Sequence, residues 1–162
     1  MEVQLAKIIQ EITNDIVKGA RDIMASDIGI NQKTKPPKNT LVGSNLYRQI
    51  STSWKETGDN VVIDTFFNHY IESIESGRKP KTGDRPPVLE IAKWLRRKHI
   101  VSSNENIMKV ADTVSNAIWR DGYKARKILE ALDKYVDSGF ENKYADMIFD
   151  ALFKEVDDYF SD

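Results

Sequence analysis

Cysteine is absent from the sequence, and the only two histidines, His69 and His99, stand thirty positions apart. The first absence excludes disulfides, thiolate metal sites and cysteine nucleophiles together; the second leaves too few imidazoles for a histidine-built metal centre. Sites made of carboxylates alone cannot be recognised without geometry, so no metal is expected. No apolar run approaches the roughly 20 residues of a membrane span. The opening residues, MEVQLAKIIQEITNDIVKG, lack a basic segment ahead of an apolar one and do not read as a signal peptide. The chain is therefore expected to be made and used inside the cell. No GxSxG, HExxH, Walker loop or GxGxxG occurs, so neither a nucleophile elbow nor a phosphate cradle is encoded in recognisable form. Asp64 and His69 lie five apart, but a single histidine on a mixed face is usually structural. No catalytic residue and no cofactor are expected.

Proline is scarce too, five in 162 residues, and three of the five fall in one stretch. That stretch, Tyr70 to Ile100, organises the rest. Pro80, Pro86 and Pro87 remove backbone donors and push the residues before them out of the α region, so Gly77 to Pro87 is predicted to be a stiff loop. From Arg78 to Lys98 the sequence carries eight cations against Asp84 and Glu90, a net of plus six in a chain whose total is minus one. Arg78, Lys79, Lys81, Arg85, Arg96 and Arg97 are the candidate interface residues. Such a block suits electrostatic recognition, by an acidic protein surface or by DNA phosphate; a merely solvated face is the plain alternative. Trp94, the one tryptophan nearby, is expected to turn inward and pin the loop to a short helix over Val88, Leu89, Ile91, Ala92 and Leu95.

The other segments follow from hydrophobic spacing. Leu5, Ile8, Ile9, Ile12, Ile16, Ala20 and Ile23 predict an amphipathic helix over 2–25. Residues 26–39, with KTKPPK and no periodicity, read as an exposed basic arm that is disordered until a partner orders it. Asn45 to Trp54 alternates and favours a strand, KETGDN a turn, and NVVIDTFF a second strand, together a hairpin within 40–100. The remainder, 101–162, is helical: a capping box of Ser102 and Glu105 opens one helix that Asp121 and Gly122 end. A second helix ends at Ser138 and Gly139. A third uses Tyr144, Ile148, Ala151, Leu152, Val156, Tyr159 and Phe160, and from Glu141 onward two cations face seven anions, a net of minus five. The predicted class is α+β, mostly helical around a small antiparallel sheet, with 1–162 forming a single domain.

The order of these pieces resembles the tail-completion and neck proteins of tailed bacteriophages across about residues 40 to 122. Their strand start corresponds to Ser44, Leu46 and Ile50. Their Y-x-x-x-I/V-E-x-G-R-x-P segment corresponds to Tyr70, Ile74, Glu75, Gly77, Arg78 and Pro80. Their P-P-x-x-x-I-x-x-W-I/L-x-x-K-x-I helix corresponds to Pro86, Pro87, Ile91, Trp94, Leu95, Lys98 and Ile100. Gly77, Pro80, Pro86, Pro87 and Trp94 are the structural members of that pattern. The chain departs from it at Asn45 and His99, where glycine is usual. The resemblance implies a non-enzymatic structural protein of the virion neck or tail, assembled in the bacterial host cytoplasm as a homo-oligomeric ring of sixfold or twelvefold symmetry. It would contact the portal and neighbouring neck or tail proteins, and its basic loop would face either a protein or the packaged DNA in the channel. The alternative from another class is a small cytoplasmic helical regulator or DNA-binding module using the basic 78–98 face.

Overall fold

The apolar stripe of the N-terminal segment becomes α1, Val3–Ala25, which buries Ile9, Ile12, Ile16, Ala20 and Met24 on one side. A computed structural model describes residues 3–101 and 106–161 of the chain. Around α1 gather Leu41, Leu46, Ile50, Ile71, Ile128, Leu132 and Tyr144, all buried, and these make the larger of two cores.

The helix hands over to a short 3-10 turn, Asp27–Gly29, and a two-residue ladder in which β1, Ile30–Asn31, pairs antiparallel with β2, Lys38–Asn39. This segment was expected to be a disordered arm; it is instead fastened by its own polar side chains. Asn39 donates through Nδ2 to the Met24 carbonyl at 2.7 Å, while its Oδ1 accepts from the Leu41 and Val42 amides. Thr34 Oγ1 donates to the Asn31 carbonyl and accepts from the Lys38 amide. Asparagine and threonine side chains supply the partners that a small loop cannot obtain from a core.

The alternating run starting at Asn45 also resolves differently. Its first part is a single helical turn, α2, Asn45–Arg48, because Ser44 Oγ accepts the Tyr47 amide as an N-cap. Leu46, Ile50 and Trp54 recur every four residues, which suits a helix as well as a strand. The strand begins only at β3, Ser51–Thr57, and returns as β4, Asn60–Phe66, with Trp54 opposite Ile63. The hairpin is as expected, with a two-residue connection, Gly58 and Asp59. α1 lies against β3, while α6 (Ile128–Gly139) and α7 (Ala145–Phe160) pack mainly on α1.

Gly139 does not stop α6. Its backbone is helical (φ −60°, ψ −44°), and the chain continues through a π turn, Phe140–Tyr144, into α7. The first turn of α6 has no cap of its own. Glu75 supplies one from the end of α3, Ile71–Ser76, its carboxylate accepting the Leu129 and Glu130 amides at 2.8 and 3.3 Å.

Where one domain was expected over 1–162, the chain divides into two compact units. The first runs to Glu75 and resumes at Lys127; the second is Ser76–Arg126. In the second, α4, Val88–Arg97, packs on α5, Ile107–Asp121, around Ala92, Leu95 and Ala111, with Val88, Ile91, Ile107 and Val110 at the margin. The N-cap of α5 is Asn106, whose Oδ1 accepts from the Met108 and Lys109 amides. The Ser102 and Glu105 box lies outside the described residues. Gly122, at φ 59°, ends α5 as expected. The α+β class holds, predominantly helical with two small antiparallel ladders. Among the described residues no helix is long and apolar enough to cross a membrane.

Ile12 and Leu132 sit in the larger core at 1 % and 6 % exposure. Replacing either by alanine should lower the unfolding free energy by about 2–5 kcal/mol, as deep truncations do. Unchanged urea midpoints would show that these faces are not core.

Candidate functional site

The basic loop is built on a close crossing of two backbones. Arg78 and Tyr123 exchange both amide-to-carbonyl hydrogen bonds, at 2.8 and 2.9 Å. A Cβ on Gly77 would run into the backbone of Ala125, and one on Gly122 into the Arg78 carbonyl, so only glycine fits at either position. The Arg78 guanidinium then turns back on its own loop, Nη2 donating to the carbonyls of Thr82 and Asp84. Arg85 Nη2 reaches both the carbonyl and the carboxylate of Asp112 at 2.8 Å. Ser115, fully buried, donates to the Pro86 carbonyl at 2.6 Å.

The tryptophan that pins the loop is Trp119 on α5. Its Nε1 donates to the Gly83 carbonyl at 2.9 Å, and its carbonyl accepts the Lys81 amide at 2.7 Å. Trp94, expected to turn inward, is 41 % exposed. The inward positions of α4 belong to Ala92 and Leu95, two residues before it and one after, which at about 100° per residue puts Trp94 on a different side of the helix. α4 ends at Arg97, and just beyond it His99 takes the left-handed region (φ 51°), with the Ile100 amide bonded to the Leu95 carbonyl. That left-handed backbone, which carries no Cβ penalty for glycine, is the reason glycine is favoured where this chain has histidine.

The six candidate cations therefore separate into two kinds. Arg78 and Arg85 are committed to carbonyls and a carboxylate of their own unit. Lys79 and Lys81 on the loop, and Arg96 and Arg97 in the last turn of α4, are exposed and without a side-chain partner among the described residues. Lys93 is paired with Glu90 at 2.7 Å. Arginines as well as prolines hold the loop.

A polar constellation that spacing alone did not disclose lies in the first unit. Asp15 on α1 accepts through Oδ2 from the Tyr144 hydroxyl at 2.7 Å and the Tyr135 hydroxyl at 3.1 Å, with Lys143 Nζ 3.5 Å away. Beside it is an open recess of about 370 Å³ lined by Glu11, Asn14, Lys18 and Met147. The Tyr144 hydrogen bond is the main force holding the Asp15 carboxyl below its usual range, helped by Tyr135 and Lys143 and opposed by partial burial. Burial, then the hydrogen bond to Asp15, pushes both phenols above theirs. Every shift moves away from neutrality, whereas a general acid or base works with a pKa near the operating pH. The cluster is a latch that ties α1 to Tyr135 and Tyr144. Its one advance signal was glycine inside helical patterns, at Gly19 and Gly139, where glycine is costly without a packing reason. Among the described residues no three acidic or imidazole side chains gather as metal ligands.

The last feature is the outer face of α7. Tyr144 and Ala151 of its predicted apolar set are buried, but Leu152, Val156, Tyr159 and Phe160 point to solvent together with Phe149 and Phe153.

Two substitutions check these assignments. Arg78→Ala should cost the second unit about 1–3 kcal/mol, the range for charge-assisted bonds, whereas Lys79→Ala should change stability by no more than about 0.5 kcal/mol, as surface sites do; equal effects on urea unfolding would deny Arg78 its clamp. The depressed Asp15 carboxyl contributes stability that is complete above its unfolded value and is lost as pH falls below about 4 through the folded one. Asp15→Asn should therefore be less stable than the parent at pH 7, with the gap narrowing as the pH is lowered to 3. A gap that is constant with pH would show that the carboxylate's charge plays no part.

The chain matches no protein-family model, no curated protein and no solved structure, so what it does must follow from its own residues.

Proposed function

We propose that this chain is a structural subunit of the neck of a tailed bacteriophage, a head–tail connector or tail-completion protein that assembles as a ring and has no catalytic task. The observation that carries the reading is the exposed face of α7, where six large apolar side chains lie outside any core. Monomeric soluble proteins rarely expose contiguous apolar patches of more than a few hundred Å², and larger ones mark interaction surfaces. The free cations at Lys79, Lys81, Arg96 and Arg97 supply a second surface of opposite character.

The resemblance over residues 40 to 122 gives the assembly its kind, and the packing gives its motif residues structural work. Tyr70 accepts the Leu46 amide at 2.6 Å, Glu75 caps α6, and Gly77 and Arg78 build the loop. A rigid protrusion loses less conformational entropy on docking than a mobile one, and clamped arginines and prolines provide such a loop. On this reading Lys79 and Lys81 meet the portal, a neighbouring neck or tail protein, or the DNA in the channel.

Mass photometry of the purified chain with the portal protein of the same phage tests the proposal. Ring-sized complexes that include the portal are the expected result. A chain that stays monomeric or dimeric and ignores the portal would overturn it and favour the small regulator or DNA-binding module.

A further inference from the structure

We propose that the outer face of α7 is one half of a head-to-tail contact between copies of this chain, the other half being the exposed basic face of α4 on the next copy. The proposal rests on the ring-subunit reading and names the two surfaces that such a ring would join.

The α7 surface is a continuous stripe. Phe149, Leu152, Phe153, Val156, Tyr159 and Phe160 follow three- and four-residue spacing, which puts them on one side of a helix. Met147, Ile148, Ala151 and Glu155 hold the opposite side, and Glu155 accepts the Leu5 amide of α1 at 3.2 Å. Exposure rises along the stripe to 70 % at Phe153 and 80 % at Tyr159 and Phe160. Four of its six members are aromatic. Asp146, Asp150 and Asp157 share one flank at spacings of four and seven. Across Ala145–Phe160 one lysine faces five acids, a net of minus four.

That charge decides among occupants. A second α7 laid on the first would bring two aspartate rows together, and like charges facing each other across an interface cost several kcal/mol. The occupant must bring cations on a helical face that also has apolar surface. α4 of another copy does. Lys93, Arg96 and Arg97 against Glu90 give it plus two, and Leu89 (64 % exposed) and Trp94 stand on its solvent side. Arginine suits this partner in two ways. Its guanidinium stacks on aromatic faces and pairs with carboxylates in a planar fork, and its aliphatic stem covers apolar surface. Because each copy keeps one surface of each kind, the contact is heterologous and propagates, closing into a ring where the rotation allows.

Sedimentation velocity on the full chain tests this with two double variants, Phe153→Ser with Phe160→Ser on α7, and Arg96→Glu with Arg97→Glu on α4. All four positions are exposed, so thermal unfolding midpoints should match the parent. The parent should form species larger than two copies as its concentration rises, and less so in high salt. Each double variant alone should remain monomeric. Their equimolar mixture should form a two-copy species and nothing larger, since one intact α7 and one intact α4 remain. Should the α7 variant fold poorly, Asp150→Lys with Asp157→Lys takes its place and is expected to restore association with the Arg96→Glu and Arg97→Glu chain. A parent that stays monomeric, an α4 variant that assembles like the parent, or a mixture that stays monomeric would each overturn the contact. A chain that forms this contact yet ignores the portal sinks only the neck reading; one that enters portal complexes unaffected by both double variants sinks only the contact.

Discussion

One carboxylate oxygen ties the first unit together. Asp15 Oδ2 receives the hydroxyls of Tyr135 on α6 and Tyr144 on the π turn, so α1 and two later pieces of the fold meet at a single acceptor. Two absences of a side chain make that possible. A Cβ on Gly19 would overlap the ring of Tyr135, and one on Gly139 would overlap that of Tyr144. The π turn is part of the same solution. Nine residues of regular helix, at about 100° each, would leave the two tyrosines on opposite faces. A wider turn winds less per residue and brings Tyr144 round toward the α1 side. The buried Tyr144 ring adds apolar packing to the bond it donates, in contact with Phe140 edge to face at 5.2 Å between centroids.

The second unit answers a different constraint, how to hold a loop that has almost no apolar side chain to bury. It does so with the backbone. Gly77 and Gly122 let two chains cross at contact distance, and Arg78, Trp119 and Ser115 then take up the carbonyls that the prolines leave without a regular partner. Positive charge that looks available in the sequence is partly used for this. Arg78 and Arg85 are engaged by carbonyls and a carboxylate of their own unit, and Lys79, Lys81, Arg96 and Arg97 are exposed without such a partner among the described residues.

Both units thus spend their polar chemistry on structure and leave their exposed chemistry on surfaces. Among the described residues, the Asp15, Tyr135 and Tyr144 cluster has shifts directed away from neutral pH. The features with no internal explanation are the aromatic stripe of α7 and the basic end of α4. Exposed apolar stripes and outward-facing cations are the kind of surface that macromolecular interfaces use.

By itself the sequence determined what repeats along it. The stripe from Leu5 to Ile23 specified α1, the β-prone runs on either side of Gly58 specified the hairpin, and the prolines of 80–87 specified a loop followed by a helix. These are local properties, set by spacing, turn chemistry and excluded backbone conformations. Tertiary structure decided the rest, because the same apolar residue can face a core or solvent depending on what packs beside it. It sent Trp94 outward and chose Trp119, divided the apolar residues of α7 between a packed and an open face, and drew the 27–39 segment into a ladder through Asn39. It also carried α6 through Gly139, since the need at that glycine was room for a ring 129 residues after its partner on α1. No periodicity records a need of that kind: the hydrogen bond from Tyr144 to Asp15 joins positions 129 apart, and only the folded chain brings them within 2.7 Å.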